Sequence, residues 1–348
     1  MLGLDSRAAR ATWTVVAILV ALELAWLART TILVFTVALL LAYLLNPLVQ
    51  LVAKLLPPKA PKVSAAALVY LSGVGVIVAA MLIVGTRIAR EAAELASQLP
   101  GLVQNRDLLL DRYLPIVLSP YKEEIRAALA AQLETGKELL LPALTGIGKG
   151  LLNQLSSALY VVLVPILAFL LQLSLRDMRA TIVSLFRANG RGRMMGGILK
   201  DVDTLLGLYM RAVFLLALAT FLSHMLFLGV LGVPYSVLLA GICGLLEFVP
   251  VVGPLTGALI ALGVAAFSGY PHIGWLVAFF IGYRLFQDYV VAPWLYSSGI
   301  ELHPILVLFG VLAGEQVAGI TGMFFSVPLI AVMRILYRRG LEAMDPAR

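Results

Sequence analysis

Charge is what this 348-residue chain has least of. Lys, Arg, Asp and Glu together make up 13% of it, about half the share usual in a soluble domain. With 61% hydrophobic residues, so few charges cannot clothe a soluble surface without large apolar patches. Disorder requires the opposite composition. The one cysteine, Cys243, sits inside an apolar run, which excludes an intrachain disulfide framework. Three histidines are a poor ligand supply for an intramembrane zinc enzyme. HExxH, GxSxG and a paired-aspartate motif are all missing. The nearest approach to a phosphate loop, TGIGKG at residues 145–150, lacks the upstream spacing and has Gly150 where Ser or Thr is needed. The expectation is therefore a non-enzyme with no cofactor and no metal.

What the chain has instead is a mean hydropathy of +0.99 and long unbroken apolar runs. A transmembrane barrel would alternate polar and apolar residues, so the runs specify an all-α polytopic membrane protein. Apolar stretches at 12–28, 31–52, 64–86, 153–175, 209–231, 236–267, 273–291 and 304–336 suggest eight spans. The first is barely long enough and contains Glu23. Arg7 and Arg10 precede it with no small-residue cleavage site behind, so a retained anchor is expected.

Loop charges orient the chain. Lys54, Lys59 and Lys62 lie between spans two and three, with no acid. Arg176, Arg179, Arg187, Arg191, Arg193 and Lys200 follow span four, against Asp177, Asp201 and Asp203. Arg334, Arg338 and Arg339 close the chain. Eight crossings put all of these on one side, the cytoplasmic side by the positive-inside rule, with both termini there. The net charge of +7 is thus a topology signal, and no nucleic-acid partner is expected. The organisation expected is three spans over 1–86, an external insert over 87–152 and a transport core over 153–348. The insert carries eight bases and eight acids. Ile125, Leu129 and Leu133 share a helical face, and Ser119-Pro120 suits a helix start. Such an insert would pack on the membrane surface or on another copy, making a homo-oligomer the expectation.

Two runs are too long for one crossing. Residues 236–267 would extend roughly 48 Å as straight helix, against a hydrocarbon core of about 30 Å. The first run breaks at LLEFVPVVGP, residues 245–254, where Pro250 and Pro254 remove backbone donors and Gly253 lies between them. The second breaks at LAGEQVAGITG, residues 312–322, with Gly314, Gly319 and Gly322. Each break carries an acid, Glu247 or Glu315, the latter followed by Gln316. A charge at mid-membrane costs about 2.5–3.5 kcal/mol even on the lenient insertion scale. Unwound backbone at that depth is tolerated only in protein or against a wet cavity, and paired broken helices mark transporter sites. Helical hairpins whose glycines merely permit contact are the plainer alternative. Arg284 and Asp288 share a helix face, as an internal ion pair or a gate. His224 reads as a packing residue, His303 as a helix cap and Asn46-Pro47 as a helix stop.

Five motifs in order carry a resemblance: LLLAYLLNPLV at 39–49, DTLLGLY at 203–209, LLEFVPVVGP at 245–254, LHP at 302–304 and GITGMFFSVP at 319–328. With these the chain resembles the autoinducer-2 exporter family of bacterial and archaeal membrane proteins. Two places depart from that family's usual pattern. Ala212 and Val213 follow Arg211 where Gly-Gln is usual, and Gln287-Asp288 stands where an acid and Asn are usual. The resemblance implies secondary transport, with small polar signals exported by some members and sodium- or proton-linked exchange by others. The expected protein is an inner-membrane transporter of a small polar solute. Glu247 would contact substrate or coupling ion, Pro250, Gly253 and Pro254 would hold the unwound backbone, and Glu315, Gln316, Arg284 and Asp288 would assist. A cation/proton antiporter and a membrane scaffold acting through the insert are the alternatives.

Overall fold

A computed structural model describes residues 6–57, 61–104, 123, 142, 145–146, 155–187, 191–291, 293–294 and 303–344. Among the described residues the fold is all helical, with no strand. Most of the 87–152 insert, including Ser119-Pro120 and the Ile125, Leu129 and Leu133 face, lies outside them, as do four of the six residues of the TGIGKG stretch. The helices in chain order are α1 (Ser6–Leu27), α2 (Arg29–Leu55), α3 (Lys62–Ala80), α4 (Thr86–Gln104), α5 (Leu155–Arg187), α6 (Gly192–Val230), α7 (Ser236–Leu246), α8 (Val252–Phe267), α9 (Ile273–Phe286) and α10 (Pro304–Met344). Four stretches are long and apolar enough to cross a membrane: Arg29–Leu55, Val63–Gln98, Gly192–Val230 and Pro304–Glu342.

The chain divides into two compact units, Met1–Leu71 with Ser156–Met178, and Ser72–Leu155 with Arg179–Arg348. In the first, Ala38, Ala42, Ala66 and Ala168 bring α2, α3 and α5 close around Tyr70. Small residues are what allow helices to approach when lipid offers no hydrophobic drive. Asn46 and Pro47 do not stop α2, which continues to Leu55. A proline removes one donor and is survivable in a packed apolar helix. The Asn46 Oδ1 is used instead between helices, accepting from Gln172 Nε2 at 2.9 Å. Nor does the chain turn back between α1 and α2. Ala28 N–H bonds to Leu24 and its carbonyl accepts from Ile32, both at 2.9 Å, so the helical ladder carries on through a bend.

In the second unit, α3 passes through a π-helical turn (Met81–Gly85) directly into α4. The boundary expected between residues 86 and 87 therefore lies within continuous helix. The amphipathic α4 packs on the core, with Ala92 and Leu95 buried against Leu238, Leu239 and Leu276. It also fastens α7. Glu91 Oε2 accepts the Leu238 N–H at 2.8 Å, serving one of the orphan donors in the first turn of α7. Tyr235, the left-handed residue before that turn, donates its hydroxyl to Gln98 at 2.8 Å.

The two broken runs are both helical hairpins. In the first, α7 and α8 run back to back, and Gly257 touches Cys243 closely. In the second, α10 reverses at Ala318 (φ −145°, ψ 22°) and Gly319 (φ 59°, ψ −141°). Gly314 and Gly322 face each other across that reversal, where a Cβ on either would collide with the other's carbonyl. The length of α10 therefore overstates its reach. Its first leg, 304–317, covers only about 21 Å at 1.5 Å per residue. The hairpins open toward opposite ends of α6. Tyr270, beyond the first hairpin, donates to Leu231 O at the α6 C-terminus (3.1 Å). Arg339, on the second, binds Asp201 near the α6 N-terminus (2.7 Å). The hairpins meet through Phe248 and Phe324, ring centroids 5.7 Å apart.

Candidate functional site

The turn of the first hairpin begins at Glu247. The α7 ladder ends at Leu246, and the chain reverses within five residues. Pro250 O accepts from Val252 N–H at 2.7 Å around Val251, whose φ of 66° and ψ of −58° complete a γ-turn of the rare, strained kind. A β-branched residue there costs of the order of 1–3 kcal/mol. Gly253 follows because any Cβ would collide with Leu246 O, and Pro254 sits in the first turn of α8, where its missing donor is no loss.

This reversal holds the Glu247 carboxylate against α6 and the end of α9. Thr220 Oγ1 donates to Glu247 Oε1 at 3.0 Å. Gln287 Nε2 donates to Oε2 at 3.0 Å. The Tyr283 hydroxyl is 3.0 Å from Thr220 Oγ1. Thr220 has one proton, already given to Glu247, so Tyr283 is the donor to Thr220. Thr220 and Gln287 are 2% and 4% exposed. Gln287 gets its position from a π-helical stretch (Gln287–Val291) that interrupts the regular ladder after α9. His224, one turn beyond Thr220, is also buried. Its Nδ1 lies 2.8 Å from Thr220 O and its ring packs on Phe279, Phe280 and Tyr283.

Beside this cluster is a cavity of about 410 Å³, between α6, the first hairpin and α9. Glu247, Thr220, Gln287, Tyr283, His224 and Arg284 supply its polar lining. Most of its wall is apolar, from residues such as Leu255, Leu259, Val277 and Phe280. Arg284 Nε pairs with Asp288 at 2.9 Å, and both side chains are nearly half exposed.

The family model for AI-2E family transporters matches residues 15–342. The chain belongs to the AI-2E transporter family. Its relatives carry provisional transport names. It is 28% identical to transport protein YrrI of Bacillus subtilis (strain 168), over 54% of this chain and 53% of YrrI. It is 25% identical to permease PerM of Escherichia coli (strain K12), over 63% of this chain and 60% of PerM. With transport protein YueF of Bacillus subtilis (strain 168) the match is 21% identical, over 86% of this chain and 81% of YueF. The chain thus spans little more than half of YrrI, the first of these relatives.

Within this family member the expected site residues separate. Glu247, Pro254 and Arg284 line the cavity, Pro250 and Gly253 shape the turn, and Asp288 binds Arg284. Glu315 and Gln316 are exposed near the second reversal and line no part of the cavity. The cavity at Glu247 thus lies between the first break, α6 and α9, and the second break does not line it. The second hairpin approaches it through Phe324 alone among the described ring contacts. Thr220, Tyr283 and Gln287 were not among the expected site residues. Thr220 is an ordinary threonine in an apolar span, and nothing in its own stretch of sequence announces a partner 27 residues away. His303 does cap α10, its Nδ1 accepting from Ile305 N–H at 3.3 Å.

Proposed function

We propose that the protein is a secondary transporter of a small organic solute, and that the solute passes the cavity at Glu247. One observation carries this reading: a carboxylate held by two polar side chains, Thr220 and Gln287, at the turn of a hairpin too short to cross a bilayer. The eleven residues of α7 extend about 16 Å, half of the roughly 30 Å hydrocarbon core. Thr220 lies ten residues from the end of α6, which gives the same depth independently. Glu247 then sits near mid-membrane, where a polar cluster is costly without a polar task. Two hairpins entering from opposite faces, touching at Phe248 and Phe324, give each face its own movable barrier.

On this reading the hairpins re-enter rather than cross, so the chain crosses fewer than eight times. The side bearing Asp201, Arg338 and Arg339 is cytoplasmic, in the inner membrane. The family's name makes autoinducer-2 the first solute to test. In proteoliposomes loaded with it, Glu247→Gln should cut efflux at least tenfold while the protein remains folded by circular dichroism. Undiminished efflux would remove Glu247 from the path. Coupling to an imposed sodium or pH gradient without solute would instead favour the antiporter reading. Autoinducer-2 export, coupling ion, direction and self-association are parts of the proposal.

A further inference from the structure

Resting on the transport reading, we infer that the Glu247 cavity is selective for a small amphipathic amine, with an ammonium head on Glu247 and an apolar body along α8 and α9. The head follows from counting lone pairs. A carboxylate offers about four acceptor sites. Thr220 and Gln287 take one on each oxygen, which leaves each oxygen able to accept from a donor in the cavity. Both residents are neutral, so the carboxylate's charge is not compensated by them. Among the described lining residues the one guanidinium, Arg284, has its Nε on Asp288 at 2.9 Å. Two carboxylates, Glu247 and Asp288, thus share one guanidinium, and the net negative charge with free acceptor capacity on Glu247 is what an N–H-bearing cation satisfies on both counts.

The body follows from the walls. Leu255, Leu259, Val277 and Phe280 have no hydrogen-bonding group to offer a hydroxyl-rich solute. Each unpaired hydroxyl buried there would cost about 1–3 kcal/mol. An alkyl or aryl group gains instead, at about 0.8 kcal/mol per methylene. A bare metal cation fits less well. Calcium, for example, needs about six to eight oxygens, whereas among the described lining residues Glu247 is the one carboxylate. A volume of about 410 Å³ is at the small-molecule end of ligand pockets.

The test is equilibrium binding to the full chain in nanodiscs by titration calorimetry, with empty nanodiscs subtracted. The probes are butylamine, pentylamine, hexylamine and hexanoate. Hexylamine should bind at least tenfold tighter than hexanoate, and Kd should fall about three- to fourfold per methylene from butylamine to hexylamine. Glu247→Gln should abolish the preference for amine over carboxylate. Leu259→Ala, which removes wall methyls without placing a polar group at hydrocarbon depth, should flatten the chain-length dependence while sparing the amine preference. Equal binding of amine and carboxylate, no dependence on chain length, or a preference untouched by Glu247→Gln would each overturn the inference. Glu247-dependent efflux of autoinducer-2 without amine preference would leave the transport reading standing and sink this one. Amine binding without any Glu247-dependent flux would do the reverse.

Discussion

Val251 is the residue at which the backbone is most clearly forced. Its φ of 66° would suit glycine, yet the sequence keeps a β-branched side chain four residues after Glu247. Glycine there would lose about 1–3 kcal/mol of strain and regain about 0.5–1 kcal/mol of chain entropy cost, a net gain of about 1 kcal/mol. Val251→Gly should therefore raise the thermal midpoint of the purified protein and slow transport by relaxing the turn. A lowered midpoint would show that the γ-turn carries no strain. Strain of this kind is invisible in sequence. The prolines around Val251 announce a break, but the hydrogen bond from Val252 to Pro250 that defines its form depends on where α8 is held.

At the level of elements, glycines and remote side chains decide which apolar runs are rods and which fold back. Gly322→Ala places a methyl on the Gly314 carbonyl and should cost about 1–3 kcal/mol or more, through overpacking of the second hairpin. Gly263→Ala meets open space in α8 and should be neutral or stabilising by up to about 1 kcal/mol. Comparing unfolding of the two variants separates close approach from mere helix propensity. Glu91 is the corresponding case for capping. Removing it by Glu91→Ala strips the acceptor from the Leu238 N–H in the first turn of α7 and should cost about 0.5–2 kcal/mol, read as a lower unfolding midpoint. If Glu91→Ala left the midpoint unchanged, α7 would be held by packing alone. A capping acid 147 positions upstream is beyond any local motif. By contrast the His303 cap and the two hairpin breaks are local events, legible from neighbouring residues.

For the whole molecule, ion pairs tie the ends of distant helices. Arg339 binds Asp201, and Arg179 binds Asp203, which draws basic residues from α5 and α10 to one end of α6. The first hairpin opens at the other end, where Tyr270 meets Leu231. In a Cys243→Ser background, cysteines at Pro271→Cys and Arg338→Cys should therefore react with a membrane-impermeant maleimide from opposite sides of sealed vesicles. Labelling of both from one side would overturn the opposed-hairpin arrangement in a membrane.

Composition alone determined that this chain is helical and lives in a bilayer, because 61% apolar residues in long runs have no other stable solution. Local chemistry also determined where the helices break, since proline and glycine act on their own backbone. It did not determine whether Asn46-Pro47 would break one, because Gln172 on another helix supplies a use for the asparagine. Only the tertiary structure decided that both breaks are reversals, that Glu247 and not Glu315 lines the cavity beside α6 and α9, and that Thr220, Tyr283 and Gln287 are its companions. Those outcomes depend on hydrogen bonds and close approaches between residues tens of positions apart, and no periodicity along one chain encodes which distant side chain will arrive.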